Sequence, residues 1–395
     1  MQTNLRIIFK CAFVKSSCLG HKTVPLSKYR KLETKRLYFI DAVRAFAILM
    51  MLQGHFIDTL LAVEFRDTSY LAYNIWHYFR GITAPTFFSI SGLIFTYLML
   101  KSNNNGKNTR IKKGLFRGLM LIGIGYLLRI PVFRWLSGIF GTYFMVIDVL
   151  QCIGLSLIFI VFFYKLSQKN TTFFSVVMLG TGSLVFLCEP LYRSYTADGI
   201  PLFFANYITK DNGSIFTILP WFGYMAYGAF IGTLFYRYLK YEVFKKNIIV
   251  GFVMVGLALV YGSTSLFQII FNWSDVYLFS NIANFNYLFI RLGNVLILFG
   301  IFYAFEGYLK HPVILKIGQR TLSIYVIHFI ILYGSFTGWG LNRILGRSLN
   351  PKQAIFGALA FLIAISLMAM FRTQVAAFLR LKMTQLLELR KKSNN

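Results

Sequence analysis

The sequence predicts an all-α, polytopic transmembrane helical bundle of about ten helices with both termini in the cytoplasm. Three observations lead there. The 395-residue chain is 57% hydrophobic and only 14% charged, and its apolar residues fall in runs long enough to cross a bilayer rather than in short amphipathic stripes. Its 41 Lys and Arg residues gather on alternate connections. All five tryptophans, Trp76, Trp135, Trp221, Trp273 and Trp339, fall near one set of helix ends, as an interfacial aromatic belt does. Length therefore counts helices rather than soluble domains. The expected organisation is a basic tail at 1–38, one membrane domain at 39–373 and a second basic tail at 374–395.

The spans expected in order are 39–61, 82–101, 114–133, 144–164, 173–190, 215–236, 247–268, 284–305, 318–337 and 353–373. The fifth is the weakest span, and the seventh could break near Gly262. The amino tail, the segments 101–117, 165–172, 237–246 and 306–320 and the tail from Arg372 hold 30 basic residues and the opposite connections 8, while Arg44, Arg129 and Arg291 lie within the apolar spans. By the positive-inside rule the basic side is cytoplasmic. The net charge of +28 is thus a topology signal, and no nucleic-acid partner is expected. Lipid bilayer is the first partner, and an oligomer is compatible with the sequence. Cys11, Cys18, Cys152 and Cys188 show no metal spacing and imply no disulfide framework, and no metal is expected. "NLRIIFKCAFV" has too short an apolar run for a signal peptide, so the first span is expected to act as an uncleaved insertion signal. The chain is expected to be an integral, multi-pass membrane protein, placed in the plasma (inner) membrane if the host is bacterial.

The chemistry begins with "RAFAILMMLQGH", Arg44 to His55, in the first span. An ionisable residue inside a bilayer is costly and marks function by default. Eleven residues at 100° return to within about 20° of the start, so Arg44 and His55 share a face, about 16 Å apart along the axis. A ligand touching both must be long. Asp41 and Asp58 flank them at spacings of three on the same stripe. The guanidinium suits a phosphate or carboxylate, and the imidazole suits proton transfer or acyl capture with Asp58 orienting it. The competing reading has Arg44 paired with Asp41 at the headgroups and His55 in a core hydrogen bond.

Elsewhere, His328 lies on the face of Tyr325 and could be a second catalytic group or a structural partner. His77 in "NIWHYFRG" could meet an acceptor at the interface. Asp148 with Gln151 suits sugar hydroxyls or a helix cap. Arg291 in "NYLFIRLGN" could line a cavity, whereas Arg129 is expected to snorkel to the boundary. The loop "RIKKGLFRG" offers Arg110, Lys112, Lys113 and Arg117 beside Arg44.

These residues resemble a family. "RLYFIDAVRAFAILMMLQGH" is similar to the opening of the integral membrane acyltransferases, the group that includes the acyltransferase-3 family and the heparan-α-glucosaminide N-acetyltransferase catalytic domain. "RGITAPTFFSISGLIF" resembles their Pro-containing second helix, with Pro85, Ser89, Ser91 and Gly92. "VLQCIGLSLI", "LPWFGYMAYGAFIG" and "GQRTLSIYVIHFIIL" resemble later segments, so the resemblance runs from about 36 to 340. Ala45 stands where glycine is frequent, and the spacing of Ser323, Tyr325 and His328 is looser than the family's.

The resemblance implies a membrane acyltransferase moving an acetyl or similar short acyl group from cytoplasmic acetyl-CoA to an extracytoplasmic carbohydrate hydroxyl or amine. It assigns His55 and Asp58 to catalysis. Arg44, Asp41, Lys112, Lys113 and Arg117 would hold the donor, with Asp148, Gln151, Arg291, Tyr325, His328 and His77 towards the acceptor. The alternative is a multi-pass transporter or flippase for a polar or glycan-linked substrate, against which the absence of repeat symmetry between the halves counts.

Overall fold

The computed structural model describes residues 36–103 and 109–371. The expected tails at 1–38 and 374–395, with Cys11 and Cys18, therefore lie outside the described residues except for 36–38. Eleven helices carry the architecture. They are α1 (Tyr38–Leu60), α2 (Leu71–Asn103), α3 (Thr109–Arg129), α4 (Val149–Leu166), α5 (Thr171–Leu187) and α6 (Ile218–Tyr238). They continue with α7 (Val243–Ser274), α8 (Tyr287–Ala304), α9 (Pro312–Gln319), α10 (Thr321–Tyr333) and α11 (Pro351–Phe371). Short helices fill the connections, and the described residues contain no β-strand beyond an isolated bridge between Leu61 and Leu349.

Each of the ten expected spans is helical over most of its described residues. Seven helices, α1, α2, α4, α6, α7, α8 and α11, are long and apolar enough to cross a membrane. The pair α9 and α10, bent by 70°, would make an eighth. Helix α5 is apolar but has only 17 residues, and α3 begins with Arg110, Lys112, Lys113 and Arg117.

Local sequence explains where boundaries differ from expectation. Helix α2 starts at Leu71 rather than 82, because "LAYNIWHYFRG" contains no proline; His77 and Arg80 thereby sit on a helix instead of a loop. Helix α3 stops at Arg129 because Pro131 follows, and the chain restarts as the short helix Val132–Leu136. Helix α4 starts at a capping box: Asp148 Oδ1 accepts the Val149 N–H at 2.7 Å, and Gln151 Oε1 accepts the Asp148 N–H at 3.2 Å. Near Gly262 the chain forms a π-turn, Ala258–Gly262, and α7 continues through it instead of breaking. The single helix expected at 318–337 is two, because the backbone leaves helical geometry at Arg320. The Arg320 side chain there donates to the carbonyls of Ala369 (2.6 Å) and Met370 (2.8 Å) at the end of α11.

Lipid tails are as apolar as leucine, so helices in a bilayer associate through close backbone approach at small residues. A Cβ on Gly92 would collide with the Met225 carbonyl, and one on Gly228 with the Ser89 carbonyl, which locks α2 against α6. Gly118 and Gly154 do the same reciprocally for α3 and α4, at 2.7 and 2.5 Å from each other's carbonyl oxygens. Helix α1 runs through the interior with Ile48, Leu52 and Leu60 fully buried. The bundle thus sets the Arg44–His55 face against α9, α10 and α2. Trp221 departs from the expected belt: it turns inward and stacks on Phe88 at 5.2 Å, while Trp273 and Trp339 stay exposed.

Candidate active site

At the His55 end of α1, the imidazole meets α10. His55 Nδ1 lies 2.7 Å from the Tyr333 hydroxyl, and Thr59, one turn further along α1, donates to the same hydroxyl at 3.4 Å. The His328 ring centroid is 5.4 Å from that of His55 and 4.9 Å from that of Tyr325. His328 is completely buried; its ring nitrogens have no side-chain hydrogen-bond partner among the described residues and face the Tyr325 and Ile324 backbone of their own helix.

Behind this cluster stands a buried ion pair. Arg129 Nη2 donates to Asp148 Oδ2 at 2.9 Å, with the guanidinium 4.9 Å from the Tyr143 ring centroid and 5.8 Å from that of Phe329. The Asp148 carboxylate interacts with the Tyr325 hydroxyl and is an electrostatic neighbour of His55 and His328. Arg129 was expected to snorkel. It is instead only 6% exposed, because a carboxylate partner and two aromatic faces hold it inside. Arg129 Nε and Gln151 Nε2 remain without hydrogen-bond partners among the described residues, two buried donors beside the ion pair.

Asp58 does not orient His55. Its carboxylate pairs with Arg80 of α2, and its carbonyl accepts from Arg66 at 2.7 Å. Three residues along a helix is a neighbouring position, but the partner across the interface carries a full positive charge and wins the carboxylate. Arg80 in turn packs over Gly54 and the Trp76 ring, and Trp76 Nε1 donates to Gln53 Oε1 at 2.7 Å. His77 is exposed and stacks on Tyr73 at 6.0 Å, apart from the His55 cluster. Arg291 also lies elsewhere: its contacts are the Tyr287 ring at 5.2 Å and Gly81, where an added Cβ would lie 3.3 Å from Nη2.

At the other end of the stripe, Arg44 Nη2 donates to Thr321 Oγ1 at 2.8 Å, at the bend between α9 and α10. Asp41 lies 3.9 Å from Arg44 and is more tightly held by Arg36 at 2.6 Å. A guanidinium has five N–H donors, so these contacts use only part of the capacity of Arg44. Arg117 is its electrostatic neighbour, while Lys112 and Lys113 are exposed on the first turn of α3. Gly318 permits this junction, since a Cβ there would strike the Asp41 carbonyl.

Three participants escaped the sequence reading. Tyr333 and Thr321 come from a segment more than 270 residues from α1, with no spacing signal to announce them. Arg129 could have been found, because an arginine in an apolar span needs a carboxylate and Asp148 follows in the next span. Among the described residues, no three or more His, Cys, Asp and Glu side chains are grouped to hold a metal ion.

A family model described as heparan-alpha-glucosaminide N-acetyltransferase, catalytic, matches residues 36–273. The match takes in α1 to α7, including Arg44, His55, Arg129 and Asp148, and stops before Arg291, Tyr325, His328 and Tyr333. No curated protein matches the chain.

Proposed function

From a chain that belongs to the heparan-α-glucosaminide N-acetyltransferase catalytic family, we propose a membrane enzyme that moves an acetyl or similar short acyl group from acyl-CoA to a carbohydrate hydroxyl or amine. The donor enters from the cytoplasm at the Arg44 end, and the acceptor is presented on the opposite side at the His55 end. The observation that carries this reading is the division of one helix face into two polar stations about 16 Å apart. One is an incompletely used guanidinium beside basic α3; the other is an imidazole held by a tyrosine beside a second imidazole that no side chain among the described residues bonds.

Arg44, aided by Arg117 and more loosely by Lys112 and Lys113, binds the donor phosphates, for which a forked cation is suited. Asp41 restrains Arg44. His55 removes the proton from the acceptor O–H or N–H as that atom attacks the thioester carbonyl carbon; the C–S bond breaks, and the proton passes on to the departing thiolate. Equally, His55 first takes the acyl group on nitrogen with release of thiol, and the acceptor then takes it from the imidazole. Asp148, held by Arg129 and the α4 cap, supplies a negative charge that favours the transient imidazolium. The free donors of Arg129 and Gln151 are available to acceptor hydroxyls or the acyl oxygen.

The test is turnover and binding of labelled acetyl-CoA by purified wild type, His55→Ala and Arg44→Ala. The reading requires a wild type that turns over, a His55→Ala protein that binds donor but is inert, and an Arg44→Ala protein that binds donor poorly. A wild type that neither binds nor consumes acetyl-CoA would overturn it in favour of transport.

A further inference from the structure

We propose that Tyr333 is a positioning residue for His55: its hydroxyl accepts the Nδ1 hydrogen, fixes the imidazole tautomer and leaves Nε2 as the reacting nitrogen. The inference rests on the reading of His55 as base or acyl carrier. It concerns a residue beyond the family match, in α10.

The geometry is that of an orienting contact. The 2.7 Å separation lies in the range of a good hydrogen bond to oxygen. The two rings meet edge to face, at 89° with centroids 6.0 Å apart, so the hydroxyl and not the ring face makes the contact. Thr59 approaches the same oxygen, and α1 therefore holds the phenol at two points one turn apart.

The backbone explains why this tyrosine stays there. Tyr333 is the last residue of α10, and Gly334 follows in the left-handed region at φ +81°, with its N–H closing the helix on the Ile330 carbonyl at 2.9 Å. A Cβ at Gly334 would lie 2.5 Å from the Trp339 nitrogen, so the chain folds back immediately. Ser335 then donates to the Leu128 carbonyl at 2.7 Å and ties the turn to the end of α3.

A histidine acting through one nitrogen needs the other occupied, so that tautomer and ring orientation are set before reaction. The carboxylate nearest in sequence, Asp58, is taken by Arg80. A phenol in its stead orients the ring without placing another charge in the apolar interior. His328 has no side-chain partner of this kind among the described residues, its ring nitrogens facing the Tyr325 and Ile324 backbone of its own helix, which singles out His55 as the imidazole oriented from another helix.

The test is Tyr333→Phe in nanodiscs, a change that removes one oxygen atom. Its kcat should fall about 10- to 100-fold, the value of one lost positioning hydrogen bond, while KM for acetyl-CoA stays within about twofold because the Arg44 end is untouched. Nitrogen-15 spectra of histidine-labelled protein, with His55 assigned by His55→Gln, should show the Nδ1–H tautomer in wild type and a mixture in Tyr333→Phe. An unchanged or raised kcat in Tyr333→Phe, with His55→Ala inert, would overturn the inference and make Tyr333 an occupant of the acceptor's place. An Nε2–H tautomer in wild type would overturn it even if the variant failed to fold. A wild type without turnover would instead refute the acyltransferase reading, and the spectra would still judge the tautomer.

Discussion

Breaking the Arg129–Asp148 pair should cost far more than an exposed ion pair would. Both side chains are nearly out of solvent, at 4% and 12% exposure, and their charged atoms are 2.9 Å apart. At an effective dielectric of about 20, that separation gives about 6 kcal/mol of attraction, offset by the desolvation of both ions. Arg129→Met leaves a buried carboxylate and should destabilise the protein by about 3–5 kcal/mol. Asp148→Leu leaves a buried guanidinium and also deletes the α4 cap, which adds about 1 kcal/mol. The double variant removes both charges, so it should lose only the cap and some packing, about 1–2 kcal/mol. Equilibrium unfolding in mixed micelles, run as a double-mutant cycle, reads all three. Single variants within 1 kcal/mol of wild type, or a double variant whose cost equals the sum of the singles, would refute the reasoning.

Three further outcomes follow from the same structure. Gly228→Ala forces a methyl group into the Ser89 carbonyl and should cost about 1–3 kcal/mol by thermal unfolding, whereas Gly123→Ala, which meets open space, should cost nothing; equal effects would mean that α2 and α6 are not in backbone contact. Arg44→Ala should raise KM for acetyl-CoA by about 10- to 100-fold, the value of charged hydrogen bonds to phosphate, with only part recovered by Arg44→Lys because the fork is lost; an unchanged KM would remove Arg44 from the donor site. His328→Leu should leave the unfolding temperature nearly unchanged, since it replaces a buried ring without a side-chain hydrogen-bond partner among the described residues by an apolar group of similar size. A large loss of stability would show that His328 has a structural partner.

The membrane frame was legible in the sequence because its signals are local. Apolar length and single breakers such as Pro131 need no knowledge of neighbours, and helices stand at all ten expected places, seven of them, or eight with the bent pair, long and apolar enough to cross a membrane. The shared face of Arg44 and His55 was legible for the same reason, being a property of one helix. What failed depended on elements meeting in space. Asp58 has the right spacing to serve His55, but only the packing of α2 reveals that Arg80 takes it. Arg129 read as an interfacial cation until α4 brought Asp148 to it. The bend at Arg320 was hidden because "GQRTLSIYVIHFIIL" contains no proline to announce a break; the break is supported by carbonyls of α11 that lie 49 and 50 residues away. Tyr333 was invisible for the same reason, being 278 residues from its partner.

The most direct measurement is acyl transfer in sealed proteoliposomes, with labelled acetyl-CoA on the side facing the Arg44 end and a glucosamine-containing acceptor on the other. Wild type should deposit label on the enclosed acceptor, and His55→Ala in the same vesicles should deposit none while still binding donor. Label reaching the acceptor equally in both preparations, or in neither, would contradict the account that His55 carries the transfer.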